Sequence, residues 1–214
     1  MRPAAEVVAE IEQLVARARA RWTAPAEADP SQRVDADTRR DLPGVPATYG
    51  WARRGADLEP MLGPEAVARL RSAVAARPRV LTIWGERSGV GKTASAVAAS
   101  RALSPEGRGY FVRAAALVES MREAGYGHAS DAMHRARTTG LLVLDDLGIE
   151  AATEQNREWL CELVWSRADS EKRGRVTVVT TSLGPDAISA RYGDGMSRRL
   201  FQLASIHLGA PLAK

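Results

Sequence analysis

Two short stretches carry residue types that together could handle a nucleoside triphosphate. The first is Gly85-Glu86-Arg87-Ser88-Gly89-Val90-Gly91-Lys92-Thr93; the second is Asp145-Asp146, at the end of the apolar run Leu141-Leu142-Val143-Leu144. Glycines let a loop turn its N–H groups inward, where they cradle phosphate oxygens. A lysine in this position reaches the β- and γ-phosphates, and the threonine hydroxyl ligates Mg²⁺. The expected ATP-binding residues are therefore Ser88, Gly89, Val90, Gly91, Lys92, Thr93 and Ala94. Asp145 is expected to hold Mg²⁺ with Thr93, through water, because Mg²⁺ keeps part of its hydration shell. Asp146 is expected to orient the attacking water, since phosphoryl transfer asks the protein mainly for placement and charge compensation. One departure from the usual P-loop spacing stands out. The first glycine is Gly85, and the next position is Glu86. A carboxylate beside a polyphosphate is unfavourable, so Glu86 is expected to turn away.

The flanking elements suit this chemistry. Val80–Trp84 reads as a strand entering the loop, and Ala94–Leu103 reads as a helix leaving it. A helix that starts there adds the positive end of its dipole to the phosphate site. Short strands are expected at 109–112, 141–144, 175–180 and 204–208, alternating with helices over 114–123, 131–137, 151–168, 184–191 and 193–202. That alternation indicates a parallel α/β sheet. Ligands of such sheets lie at the carboxyl ends of strands, where Lys92 and Asp145 can face one another.

Upstream, Val8, Ile11, Val15, Ala18 and Trp22 recur at helical spacing. Residues 1–24 are expected to form an amphipathic helix that docks on a partner or packs on its own domain. Residues 25–54, with Pro25, Pro30, Pro43 and Pro46, are expected to be a mobile linker, ended by Tyr49 and Trp51, which could fold against the next domain or lie near a bound base. Residues 55–214 are expected to form the nucleotide-binding ATPase domain, its first helix opening at Pro64.

Composition narrows the partners. The chain of 214 residues carries a formal charge of +4, mostly from arginine. That suits a nucleic-acid contact without requiring one, and Arg173, Arg175 and Arg191 could form a basic stripe along DNA. A single cysteine, Cys161, excludes an intrachain disulfide and reads as buried filler. No run approaches a membrane span and the N-terminus lacks a signal-peptide core, so a cytoplasmic protein is expected. His128, His134 and His207 show no metal-ligand spacing with Cys161.

The run Leu141-Leu142-Val143-Leu144-Asp145-Asp146-Leu147-Gly148 resembles the Walker B motif of the DnaC/IstB-like AAA+ ATPases, the helicase loaders and transposition helper ATPases. Gly109–Leu117 and Val178–Ser182 resemble the same family, and the resemblance spans roughly 79–208. It implies a P-loop NTPase of the AAA+ type: a parallel five-stranded sheet of order 5-1-4-3-2, flanked by helices, without a separate lid domain. It also implies a sensor residue at Ser182, where asparagine is common, and a trans-acting arginine in Gly193–Phe201. The family's Ser-Arg-Leu pattern falls on Arg199, with Arg198 the alternative. Asp146 stands where many AAA+ proteins have glutamate, which leaves a slow ATPase or a non-hydrolysing adaptor open. The implied protein is an ATP- and Mg²⁺-binding helicase loader in DNA replication, or a transposition helper. Its implied partners are single-stranded or duplex DNA, a replicative helicase or a transposase, and further copies of itself in the ATP state.

Overall fold

Five runs of aliphatic and β-branched residues form one parallel sheet: β1 (Val80–Trp84), β2 (Tyr110–Arg113), β3 (Leu141–Leu147), β4 (Val176–Thr181) and β5 (Ser205–His207). The computed structural model describes residues 42–53, 58–104, 108–125, 130–170 and 174–209. The expected N-terminal helix, the linker up to residue 41, the turn at 105–107, Tyr126, His128 and Arg173 lie outside them, as does the side chain of Trp51. The strand order is 5-1-4-3-2, as the family resemblance implies, and every pairing is parallel.

The helices are α1 (Gly50–Arg53), α2 (Glu59–Leu62), α3 (Pro64–Ala75), α4 (Lys92–Leu103), α5 (Ala114–Ala124), α6 (Asp131–Thr138), α7 (Glu154–Ala168), α8 (Pro185–Tyr192) and α9 (Asp194–Phe201). Side chains alternate across a strand, and here both faces are covered. Leu81, Ile83, Leu141, Val143 and Val178 pack with α3 and α4. Val80, Leu142, Leu144 and Val179 pack with α5 to α9. Runs buried on both sides need no polar alternation, which explains the unbroken apolar sequence of β3.

Some boundaries move. Helix α7 starts at Glu154, not 151, because Thr153 caps it by accepting from Asn156 N. Strand β3 runs on through both aspartates to Leu147. Residues 42–53, expected within the linker, pack on the domain: 42–44 lie against β2, and 47–53 lie on α4. Leu42 is buried in the cluster that holds Phe111, Tyr49 packs against that cluster, and Ala52 is buried too. The carbonyl of Pro43 accepts from Phe111 N at 2.9 Å, which partners the free edge of β2. Gly44 has φ +93, and a Cβ there would lie 2.0 Å from the Phe111 carbonyl oxygen. Proline-rich composition hides this segment because its contacts follow no period.

The amino ends of β3 and β4 are tied by one side chain. Arg167 of α7 is 1% exposed. It donates to the carbonyls of Ala136, Thr139 and Val176 at 2.8–2.9 Å and to Thr177 Oγ1 at 2.8 Å. Weaker contacts reach the carbonyls of Arg137 and Gly140 at 3.4 Å. Burial, with a smaller contribution from the charge of Arg175, pushes its guanidinium down to about 10. Several backbone groups therefore depend on one residue. Arg167→Leu should lower the unfolding free energy by about 3 kcal/mol or more, since a stranded buried polar group costs about 1–3 kcal/mol; urea denaturation measures the loss.

Candidate nucleotide-binding site

Because the strands are parallel, the loop after β1, the aspartates of β3 and the end of β4 share one edge of the sheet. Gly89 and Gly91 have φ of +78 and +89, a region that only glycine enters readily. Gly91 is the N-cap of α4, with no side chain capping it. The first-turn N–H groups of a twelve-residue helix are thus left facing the loop. Lys92 is 7% exposed and its Nζ donates to the carbonyls of Gly85 and Arg87 at 2.9 and 2.8 Å, closing the loop on itself. Burial lowers the Lys92 ammonium below its ordinary value, against the charges of Asp146, Asp145 and Glu86.

Asp145 is 1% exposed. One of its oxygens, Oδ1, accepts from Thr93 Oγ1 at 3.0 Å and from Thr180 Oγ1 at 2.7 Å. Among the described residues its hydrogen-bond partners are hydroxyls, not a cationic side chain. A buried carboxylate beside a threonine hydroxyl is a hard oxygen set that fits Mg²⁺. The inward-turned loop amides fit a polyphosphate. The residues present therefore suit the ATP and Mg²⁺ that the motifs imply.

Asp146 has φ +57, uncommon for a residue with a side chain. Its backbone N–H donates to Thr180 Oγ1 at 2.9 Å. It sits in an irregularity between Leu144↔Val179 and Leu147↔Thr181. Such a bulge re-aims the extra residues of a strand. The structure thus brings together Lys92, Thr93, Asp145 and Asp146. Ser182 lies at the end of β4, half-exposed, and its hydroxyl has no partner among the described residues.

Glu86 is exposed and pairs with His207 Nε2 at 3.0 Å, as its unfavourable position required. That hydrogen bond, with one from its own backbone, holds its carboxyl below the usual range. His207 in turn lies on Trp84, ring centroids 4.2 Å apart.

The two candidate arginines of α9 are placed differently. Arg199 donates to both oxygens of Asp169, at 3.3 and 2.7 Å, and to the Gly195 carbonyl, and stands 5.4 Å over the Trp165 ring. Arg198 is exposed instead and lines an open groove of about 530 Å³ with Pro185, Asp186 and Ser197. Neighbouring residues point about 100° apart on a helix, so packing Arg199 against α7 turns Arg198 outward. Arg191 is likewise no part of a free basic stripe, because it pairs with buried Glu150 at 3.2 Å.

Sequence reading missed Thr180, Met61 and Leu62. Thr180 had a signal, a hydroxyl at the end of a fully buried run, where it must find a partner. Met61 and Leu62 had none. A Cβ on Gly91 would lie 2.5 Å from Met61 Sδ and 2.8 Å from Leu62 Cδ2, so α2 rests on the loop.

Burial pushes the Asp145 carboxyl up; hydrogen bonds from Thr180 and Thr93 oppose this and the charge of Asp146 adds to it. A raised folded value means the folded state holds the proton more tightly. Stability therefore falls as pH rises from the unfolded carboxyl value through the folded one. Asp145→Asn should raise the Tm of the nucleotide- and metal-free protein at pH 7, with the gain shrinking on acidification. Melting curves across pH check this, and a loss of stability at pH 7 would contradict it.

A family model described as IstB-like ATP binding protein matches residues 59–198. No curated protein matches the sequence. Among solved structures, that of the DnaC helicase loader is similar with a TM-score of 0.61 and 22% identity, covering 76% of this chain and 99% of that one. The structure of DnaI follows at 0.58 and 19%, covering 82% and 97%. The replication initiator DnaA bound to AMPPCP and single-stranded DNA has a TM-score of 0.53 at 15% identity; the match covers 68% of this chain and 46% of that one. At such identities the likeness is one of fold.

Proposed function

This chain belongs to the IstB-like ATP-binding family of AAA+ proteins, and on that premise we propose that it is an ATP-hydrolysing switch that loads a replicative helicase onto DNA. The observation that carries the reading is the Thr93–Asp145 contact of 3.0 Å, a P-loop hydroxyl against a buried carboxylate. In this reading Ser88 to Ala94 hold the triphosphate, and Met61 and Leu62 wall its base side. Thr93 and Asp145 hold Mg²⁺, which supplies charge compensation when bound. Asp146 orients water, and Ser182 adds a hydroxyl near the γ-phosphate. Among the described residues no helix is long and apolar enough to cross a membrane, in keeping with action in the cytoplasm.

Lys92→Ala should remove tight ATP binding while the melting curve persists, measured by fluorescence titration. Asp146→Asn should keep binding and lose most turnover. Asparagine tolerates the left-handed backbone at this position, so the fold should survive; full turnover would leave a nucleotide-binding adaptor as the better description.

We also place a trans-acting cation on α9, so that copies meeting head to tail complete each other's sites. Such contacts build rings or open helices. Arg198 is the candidate because Arg199 is engaged by Asp169. An arginine finger is worth roughly 10³–10⁵ in rate. Arg198→Ala should therefore lose turnover on that scale and regain part of it when mixed with Lys92→Ala protein. If Arg199→Ala behaves this way instead, the role returns to Arg199.

Single-stranded DNA is the proposed nucleic-acid partner: the chain is basic, and the fold relative DnaA was solved with such DNA. The IstB-like match favours a second reading, an ATPase helper of a transposase. Residues 1–24 would dock the partner in either case. Capture of partners by the full chain with ATP, a helicase or a transposase, separates the two.

A further inference from the structure

Beyond the nucleotide contacts, the structure holds a buried charged cluster that the chemistry above does not use. The side chain of Glu150 is 1% exposed. Its Oε2 accepts from Gly148 N at 3.0 Å. Its Oε1 accepts from the Tyr192 hydroxyl and from Arg191 NH2 at 3.2 Å. Arg191 also donates to the Glu150 backbone carbonyl. One carboxylate thus divides its oxygens between the loop after β3 and the end of α8.

Both ends of this link are held tightly. On the loop side, Thr180 accepts from Asp146 N, Thr181 donates to the Leu147 carbonyl at 2.7 Å, and Glu150 takes Gly148 N. Gly148 has φ +105, and a Cβ on it would lie 2.6 Å from Leu183 Cδ1. The three residues have little room to move separately. On the helix side, Tyr192 is 2% exposed, and its carbonyl accepts from the Cys161 thiol of α7 at 3.5 Å. Tyr192 is the last residue of α8. Gly193, with φ +89, is the joint from which α9 and its arginines depart. Burial, then the hydrogen bond to Glu150, raises the Tyr192 hydroxyl well above its ordinary value, so it stays a donor.

A backbone shift at Asp146 that moves Gly148 N must draw Glu150 with it. Glu150 cannot turn to water, and breaking its bonds strands buried partners. Its movement reaches Tyr192 one residue before the α8–α9 joint. We propose that Glu150 and Tyr192 are positioning residues that transmit the state of the nucleotide site to α9, and so set where its exposed arginine points. This rests on the reading of the site as an ATPase with a trans-acting cation on α9.

The test uses full-length protein and the variant Tyr192→Phe, which deletes one hydroxyl, with Glu150→Gln as a second variant. Amide hydrogen exchange over 185–201 is measured with and without ATP and Mg²⁺, alongside ATP affinity by fluorescence titration and steady-state turnover. In the wild type ATP should alter exchange over 185–201. In Tyr192→Phe the affinity should stay within about twofold, that response should fall to about half or less, the rest being carried by Arg191, and kcat should fall about tenfold or more with KM little changed. A variant that keeps the response overturns the proposal. So does one whose affinity and melting temperature fall together, which marks a merely structural bond. A wild type that binds ATP without any response over 185–201 overturns it too, while leaving the nucleotide site standing. A wild type that does not bind ATP removes the underlying reading instead.

Discussion

One buried oxygen organises this molecule. Asp145 Oδ1 is shared by the hydroxyls of Thr93 and Thr180, which come from α4 and β4, while Asp145 itself belongs to β3. Isolating a carboxylate from water is costly unless donors replace its hydration. Here the donors come from the two elements whose relative placement a nucleotide site needs. The order 5-1-4-3-2 leaves β4 between the loop-bearing strand and the aspartate strand. The site must reach across an intervening strand, and Thr180 is the residue of that strand that bridges it.

The same threonine sets the second aspartate. Its hydroxyl donates to Asp145 and accepts from Asp146 N, so consecutive residues are held by one group in opposite hydrogen-bonding roles. That arrangement needs the pairing irregularity between Leu144 and Leu147. A regular strand would send Asp145 and Asp146 to opposite faces. The bulge keeps Asp145 buried on the threonines and leaves Asp146 half-exposed. An uncommon backbone conformation is then the local cost of giving two neighbouring carboxylates different surroundings, and such conformations cluster at functional sites.

The opposite edge of the sheet is built differently. There Arg167 satisfies carbonyls of the α6–β3 connection and of β4 with one buried guanidinium. No ligand is needed for that bond set to be complete. The carboxyl edge, by contrast, holds hydroxyls, loop amides and carboxylates that can exchange partners. The amino edge is thus closed by protein groups alone, while the carboxyl edge presents its hydroxyls, loop amides and carboxylates side by side. The two apolar faces, one with α3 and α4 and the other with α5 to α9, fill the space between them.

The parts legible in the sequence are those encoded by neighbouring residues. Glycine spacing, the Lys92-Thr93 pair and an apolar run ending in two aspartates each state local backbone requirements, and the order of strands and helices follows from hydrophobic period. The unfavourable place of Glu86 was equally local, and its turn to His207 followed. What lay beyond reach depends on direction and on partners distant in the chain. Residues 42–53 have no period because Pro43 and Gly44 meet β2 while 47–53 lie on α4. Arg198 and Arg199 differ by a rotation of about 100° on one helix, and Trp165 and Asp169 happen to lie alongside the second. Glu150 and Tyr192 are separated by a helix, a strand and most of another helix, so their meeting is a property of packing alone. Sequence by itself determined the ATP-binding family and which residue types end the strands. Only the tertiary structure decided which side chains meet, because hydrogen-bond partners buried from water are chosen by three-dimensional position and not by distance along the chain.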